Sequence, residues 1–138
     1  MQPSSKKTVT KMREAYERTI RKTSTENLKR KFPGRPGIED AASTWISRKD
    51  LEALLNANNA DGLRIYYGCH HQSTHDDPNL DHNGLHNLIF VATKDSNDPQ
   101  NPTPQTSVDQ LSDDKGDEPA NFEGSAAADG LLCPPLCN

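Results

Sequence analysis

Between Asp61 and Asp95, two short apolar runs, Leu63–Gly68 and Asn87–Thr93, bracket a polar segment that holds all five histidines. Almost nothing else in the chain can seed a folded core. The first run alternates, with Leu63, Ile65 and Tyr67 on one face and Arg64 and Tyr66 on the other, as a half-buried strand does. The second, Leu88 to Ala92, is apolar on both faces, so it belongs in a central or covered position. No crossover helix fits between the runs, so they are expected to pair antiparallel. Two strands alone are marginal in water, so helices from the flanking sequence must cover the sheet.

Residues 8–31 read as one such helix. Val9, Met12, Tyr16 and Ile20 recur at spacings of three and four among lysines and arginines, which predicts an apolar stripe on one face. Ser5 or Thr8 is placed to cap its start. The stripe fades at Thr23-Ser24-Thr25, where a break is expected, and Leu28 and Phe32 belong to a further turn. Pro33-Gly34-Arg35-Pro36-Gly37 then forms a linker. A second helix starts at Ser47, with Asp50 three residues on and Ile46 and Leu51 as a hydrophobic staple. It would bury Leu51, Leu54 and Leu55 and end in the turn residues Asn56–Gly62.

The rest of the chain is too polar to extend this core. Only 31% of its 138 residues are hydrophobic and the mean hydropathy is −0.92, well below a typical globular domain. The fold predicted is α+β: a small antiparallel hairpin or sheet covered by one or two helices, with a disordered acidic C-terminal tail. Residues 1–37 are then a basic helix and linker, 38–95 the core and 96–138 the tail, with a short edge strand expected near Val108. Charge follows the same division. Residues 1–50 carry thirteen Lys/Arg against six Asp/Glu, and residues 51–138 carry three against fourteen. The basic helix could meet nucleic acid or an anionic surface, or attract only the chain's own acidic half. No run approaches the roughly 20 apolar residues of a membrane span, and no leader pattern follows Met1–Lys7. A cytoplasmic location is the expectation, and three cysteines, an odd number, do not suggest a disulfide framework.

The segment between the strands carries the densest chemistry. Cys69, His70, His71, His75, His82 and His86, with Asp76, Asp77 and Asp81, are ligand types that suit zinc or another divalent metal. His82 and His86 have the four-residue spacing of two imidazoles on a helix, but Asn83 and Gly84 between them disfavour helix and the zinc-protease glutamate is missing. A polar hairpin loop explains the same residues. A calcium loop over Asp77–Gly84 lacks the bidentate acid in either register. Cys133 and Cys137, spaced by Pro134-Pro135-Leu136, could close a disulfide, supply metal thiolates or form a tail that a partner reads. Arg64 and Tyr66 could offer a stacking or binding surface, or simply pack across the strands. The phosphate-loop, dinucleotide and nucleophile-elbow signatures are missing. Cys69 and His70 point to opposite faces of a strand and cannot act as nucleophile and base together.

Asp61-Gly62-Leu63-Arg64-Ile65-Tyr66-Tyr67-Gly68, then Leu88–Asp95, then Leu132-Cys133-Pro134-Pro135-Leu136-Cys137, resemble a group of small uncharacterised bacterial proteins. That group carries a G-[IL]-R-[IV]-Y-[YF]-G strand, a hydrophobic partner strand and a C-terminal C-P-P-x-C. The resemblance covers about half the chain, and the long histidine-rich loop departs from it. It implies the hairpin and a purposeful cysteine tail, and it brings no activity with it. The leading expectation is a non-enzymatic binding or accessory protein with a protein partner. The alternatives are a zinc-type metal-binding protein, using Cys69, His70, His71, His75, His82, His86, Cys133 and Cys137, and a thiol–disulfide redox protein using Cys133 and Cys137.

Overall fold

The structure, a computed structural model, describes residues 3–111 and the backbone of two short strands at 127–129 and 131–133. Its elements in chain order are α1 (Lys6–Tyr16), a π-helical turn (Glu17–Arg21), α2 (Lys22–Lys31), β1 (Ser43–Trp45), α3 (Arg48–Ala57), β2 (Gly62–Cys69), β3 (His86–Lys94), β4 (Val108–Asp109), β5 (Ala127–Asp129) and β6 (Leu131–Cys133). The α+β class is as predicted. The chain divides into two compact units. Of the described residues, the first comprises 3–43, 69–86 and 132–133, and the second 44–68, 87–111, 127–129 and 131.

In the first unit, α1, the π turn and α2 run on as one helix, because the residues at both joins keep right-handed helical dihedrals. The Ser5 hydroxyl caps its start, accepting from the Thr8 amide at 3.1 Å. The break predicted at Thr23-Ser24-Thr25 does not occur. Hydroxyls in a helix usually compete with it for backbone bonds. Here Ser24 donates to the Asp40 carboxylate and Thr25 accepts from the Asp40 amide, so both are engaged outside the helix. The packed face also differs from the predicted stripe. Val9, Met12 and Ile20 remain 44%, 66% and 58% exposed, and the helix docks instead through Tyr16, Arg21, Ser24, Thr25 and Leu28. The core of this unit is Leu28, Ile38, Ala41 and Leu85, with Phe32 packed against it. Gly84 reaches it only because it lacks a side chain. Its φ is +86°, and a methyl group there would meet Leu28 Cδ2 at 2.8 Å and Phe32 Cε2 at 2.9 Å.

The second unit is built on the sheet, ordered β2-β3-β4, with β5 also pairing β3. β4 pairs antiparallel through Thr93 with Asp109 and Lys94 with Val108, and β5 through Phe90 with Ala128. The central place predicted for the second apolar run is therefore that of β3, and the edge strand predicted near Val108 is β4. α3 starts where predicted, with Ser47 accepting from the Asp50 amide at 3.0 Å. It ends at Ala57 with Asn58 as its cap, and the next residue, Asn59, turns the chain away with a positive φ of 48°. Leu54, 1% exposed, packs against Phe90 and Ala92, with Ile46, Ala60 and Leu88 around them.

The defined chain also runs beyond residue 95. Asp95 accepts from the amides of Asn97, Asp98 and Thr103 and from the Thr106 hydroxyl. These bonds fold residues 95–106 into a bonded turn that leads into β4. The remainder of the predicted acidic tail, residues 112–126, 130 and 134–138, lies outside the described residues.

Candidate functional site

Two places bring together the residues singled out by the sequence: the free edge of the sheet in the second unit, and the histidine loop of the first.

The edge is β2. A methyl group on Gly62 would sit 2.7 Å from Thr93 Oγ1, so these two residues are neighbours on one face. Residues 62, 64 and 66 therefore share that face with Val91 and Thr93, while Leu63, Ile65 and Tyr67 share the other with Leu88, Phe90 and Ala92. The Gln110 amide donates to the Ala92 carbonyl, so Ala92 turns its backbone toward β4, and Val91 and Thr93 turn theirs toward β2. It follows that the amides and carbonyls of Leu63, Ile65 and Tyr67 point away from the sheet. Among the described residues no strand lies along that edge. The same three residues expose their side chains: Leu63 36%, Ile65 46% and Tyr67 90%.

Arg64 and Tyr66, the predicted binding surface, lie on the opposite face. Arg64 donates to Asp109 at 2.6 Å and to the Pro104 carbonyl at 2.7 Å, and the Tyr66 hydroxyl bonds the other oxygen of Asp109. The hydrogen bond to Tyr66 and the Asp109 charge raise the Arg64 pKa. These bonds hold residues 104–109 against the sheet, so the polar ends of both side chains are engaged within the unit.

In the first unit, the loop from His70 to Leu85 is closed at its base by the His70 amide on the Leu85 carbonyl and the Gly84 amide on the His70 carbonyl. It is pinned from outside by Arg35, 7% exposed. The guanidinium donates to the carbonyls of Pro78, Asp81 and Asn83 and lies over the Phe32 ring, 4.9 Å from its centroid. Within the loop, Asp81 accepts from the amides of Thr74 and Asn83. Burial pushes the Asp81 pKa up, but these bonds outweigh it and the net shift is down. A cavity of about 170 Å³ beside Arg35 is lined by Gly37, Ile38, Glu39, Asn79 and Leu85 among others.

The structure separates most of the predicted ligands. His70 and His82 come together, their ring centroids 5.5 Å apart. Burial, the neighbouring His70 and the Arg35 charge depress the His82 pKa below its ordinary 6.5. His71 and His75 are exposed, and His75 Nδ1 accepts from the Asp77 amide at 3.0 Å. Cys69 is exposed and its thiol is free. His86 is 47% exposed and turns its Nδ1 to Asp40. The side chains of Cys133 and Cys137 lie outside the described residues. Among the described residues, no three His, Cys, Asp or Glu side chains are grouped so as to hold a metal ion, and no helix is long and apolar enough to cross a membrane.

Sequence reasoning missed Asp40 and Arg35. Asp40 is fully buried. One carboxylate oxygen accepts the amides of Ala41 and His86, each at 2.8 Å, and the other meets the Ser24 hydroxyl at 2.5 Å and the His86 ring. Burial raises the Asp40 pKa, but the bonds from Ser24 and His86 outweigh it and hold the group below its ordinary 3.8. The same buried charge, after burial itself, raises the Tyr16 pKa. The only sequence signal was a pair of adjacent acids, Glu39-Asp40, between the apolar Ile38 and Ala41. Its partners lie up to 46 residues away. No protein-family model, curated protein or solved structure matches the chain.

Proposed function

We propose that the protein is a non-enzymatic binding protein that takes up an extended segment of a protein partner along β2. The observation that carries this reading is an edge that no strand covers among the described residues: outward backbone groups at Leu63, Ile65 and Tyr67, with exposed apolar side chains at the same positions. Long flat edges invite pairing, and proteins that avoid it place Lys, Pro or a bulge along them. β2 has neither Lys nor Pro, and its one cation, Arg64, reaches across the opposite face to Asp109. An added strand would gain main-chain hydrogen bonds from the edge and side-chain contacts from Ile65 and Tyr67. The test is a photo-crosslinking amino acid placed in turn at Tyr67 and at Tyr66 in cells making the full chain. The expected result is a discrete adduct with another protein from position 67, none from position 66, and loss of the adduct in Ile65→Lys. Adducts of equal strength from both positions, or adducts only with a second copy of this chain, contradict it.

A second reading, metal binding, keeps one supporting observation: the paired rings of His70 and His82, the latter biased toward the neutral form that ligates metal. Zinc titration followed by native mass spectrometry, with His82→Gln as control, tests it. A stoichiometric zinc adduct lost in the variant is the expected sign, and an unchanged bare mass contradicts it. The thiol reading rests on Cys133 and Cys137, whose side chains are not described.

A further inference from the structure

Successive residues of a strand point to opposite faces, so Cys69 turns away from His70. The strand register gives it a different histidine. A methyl group on Gly68 would meet Asn87 Oδ1 at 3.0 Å, and the His70 amide donates to the Leu85 carbonyl at 3.0 Å. Gly68 therefore faces Asn87 and His70 faces Leu85, the same register that sets Gly62 on Thr93, and Cys69 stands directly opposite His86. The His86 amide turns away from β2 to Asp40, which makes this a non-hydrogen-bonded pair. Side chains of such a pair leave the same face, their Cβ atoms about 4.5–5.5 Å apart. Both residues are exposed, and exposed side chains change rotamer freely. His86 is also oriented. Its Nδ1 bonds the fully buried Asp40 carboxylate, which only accepts, so the neutral ring keeps its proton on Nδ1 and its lone pair on Nε2. The Ser24 hydroxyl and the Ala41 amide hold Asp40 in place.

We propose that Cys69 is a reactive thiol, with His86 as its base and Asp40 as a positioning residue, that exchanges with disulfides to form a mixed disulfide. His86 Nε2 takes the thiol proton, and the Cys69 sulfur attacks one sulfur of the disulfide. The new Sγ–S bond forms as the old S–S bond breaks, and the departing thiolate takes the proton from Nε2. Cys69 thus gives up its thiol hydrogen, and the released half of the disulfide gains it. Acyl and phosphoryl transfer are disfavoured, because they build charge on oxygen and need donors aimed at it. The His86 amide is spent on Asp40, and the Arg21 guanidinium on Glu17, Glu39 and the Asp40 carbonyl. The exchange is stoichiometric and independent of docking at the β2 edge.

The test is the rate of mixed-disulfide formation with glutathione disulfide at neutral pH in EDTA, on the reduced and desalted full chain, with the adduct located on the Cys69 peptide by mass spectrometry. The same peptide from the urea-unfolded chain gives the unassisted rate. Native Cys69 should react at least about tenfold faster than that, and His86→Gln should remove the advantage. Asp40→Asn separates positioning from a merely structural role. Its oxygen keeps the two amides while its NH2 faces Nδ1, which drives the ring proton to Nε2 and blocks the base. Its rate should fall about as far as that of His86→Gln, with native circular dichroism in both variants. Three results overturn the proposal: equal rates in the folded and unfolded chains, a fast rate that survives His86→Gln or Asp40→Asn, or adducts on Cys133 or Cys137 while Cys69 stays unmodified.

Discussion

Asp40→Ala should be among the most damaging single substitutions in the first unit. The wild-type carboxylate is fully buried and gathers four donors. Two of those donors can recover without it. The Ser24 hydroxyl already lies 3.1 Å from the Arg21 carbonyl, and the half-exposed His86 ring can turn to water. The amides of Ala41 and His86 cannot, and a buried donor left without an acceptor costs about 1–3 kcal/mol. The sum is about 2–6 kcal/mol, a large part of the roughly 5–15 kcal/mol that stabilises a typical domain. Asp40→Asn keeps one oxygen for both amides and loses only the charge-assisted character of the bonds, so it should cost about 1–2 kcal/mol. Urea unfolding at neutral pH, followed by circular dichroism, measures both. If Asn and Ala lower the midpoint equally, the captured amides do not carry the effect and the reasoning fails. If Ala costs under about 1 kcal/mol, the carboxylate does not organise this unit at all.

Other outcomes follow from the same geometry. Gly84→Ala should cost about 2–4 kcal/mol by urea unfolding, since it combines a positive φ with contacts below 3 Å to Leu28 and Phe32; a neutral result would place Gly84 elsewhere. Arg35→Lys replaces a forked donor by a point charge, so hydrogen exchange across residues 71–83 should quicken at least several-fold while β3 stays protected. Acid should destabilise the chain in two stages. The His82 pKa is lowered on folding, so its contribution is complete above its ordinary 6.5 and falls away as the pH drops below it. The Asp40 pKa is also lowered, from 3.8, so its contribution is complete above 3.8 and is lost as the pH falls further. A pH series of urea midpoints should show both declines, with only the first removed in His82→Gln.

What could be read in advance was whatever rests on local pattern. β2 and β3 follow from alternation and from a doubly apolar run, and α3 from Ser47 and Asp50, because caps and period-two patterns act over a few residues. The N-terminal helix was legible as a helix but not in its orientation. An apolar stripe normally marks the packed face, yet here the packed face joins Leu28 to polar groups, with Ser24, Thr25 and Arg21 bonded to Asp40. Those bonds join residues 15 to 19 apart, and the Arg35 bonds to the loop join residues 43 to 48 apart. No local window contains them. The histidines looked like a single cluster because they are close in sequence. Strand geometry and the Arg35 anchor disperse them, so that only His70 and His82 meet.

The free edge of β2 is most directly tested by residue-resolved hydrogen exchange in the isolated protein. Arg64 and Tyr66 turn their amides toward β3, while Leu63, Ile65 and Tyr67 turn theirs outward. Exchange along β2 should therefore alternate, slow at positions 64 and 66 and faster by at least about a hundredfold at 63, 65 and 67. Uniform protection along the whole strand would mean that the edge is already occupied, and a docking site there would be contradicted.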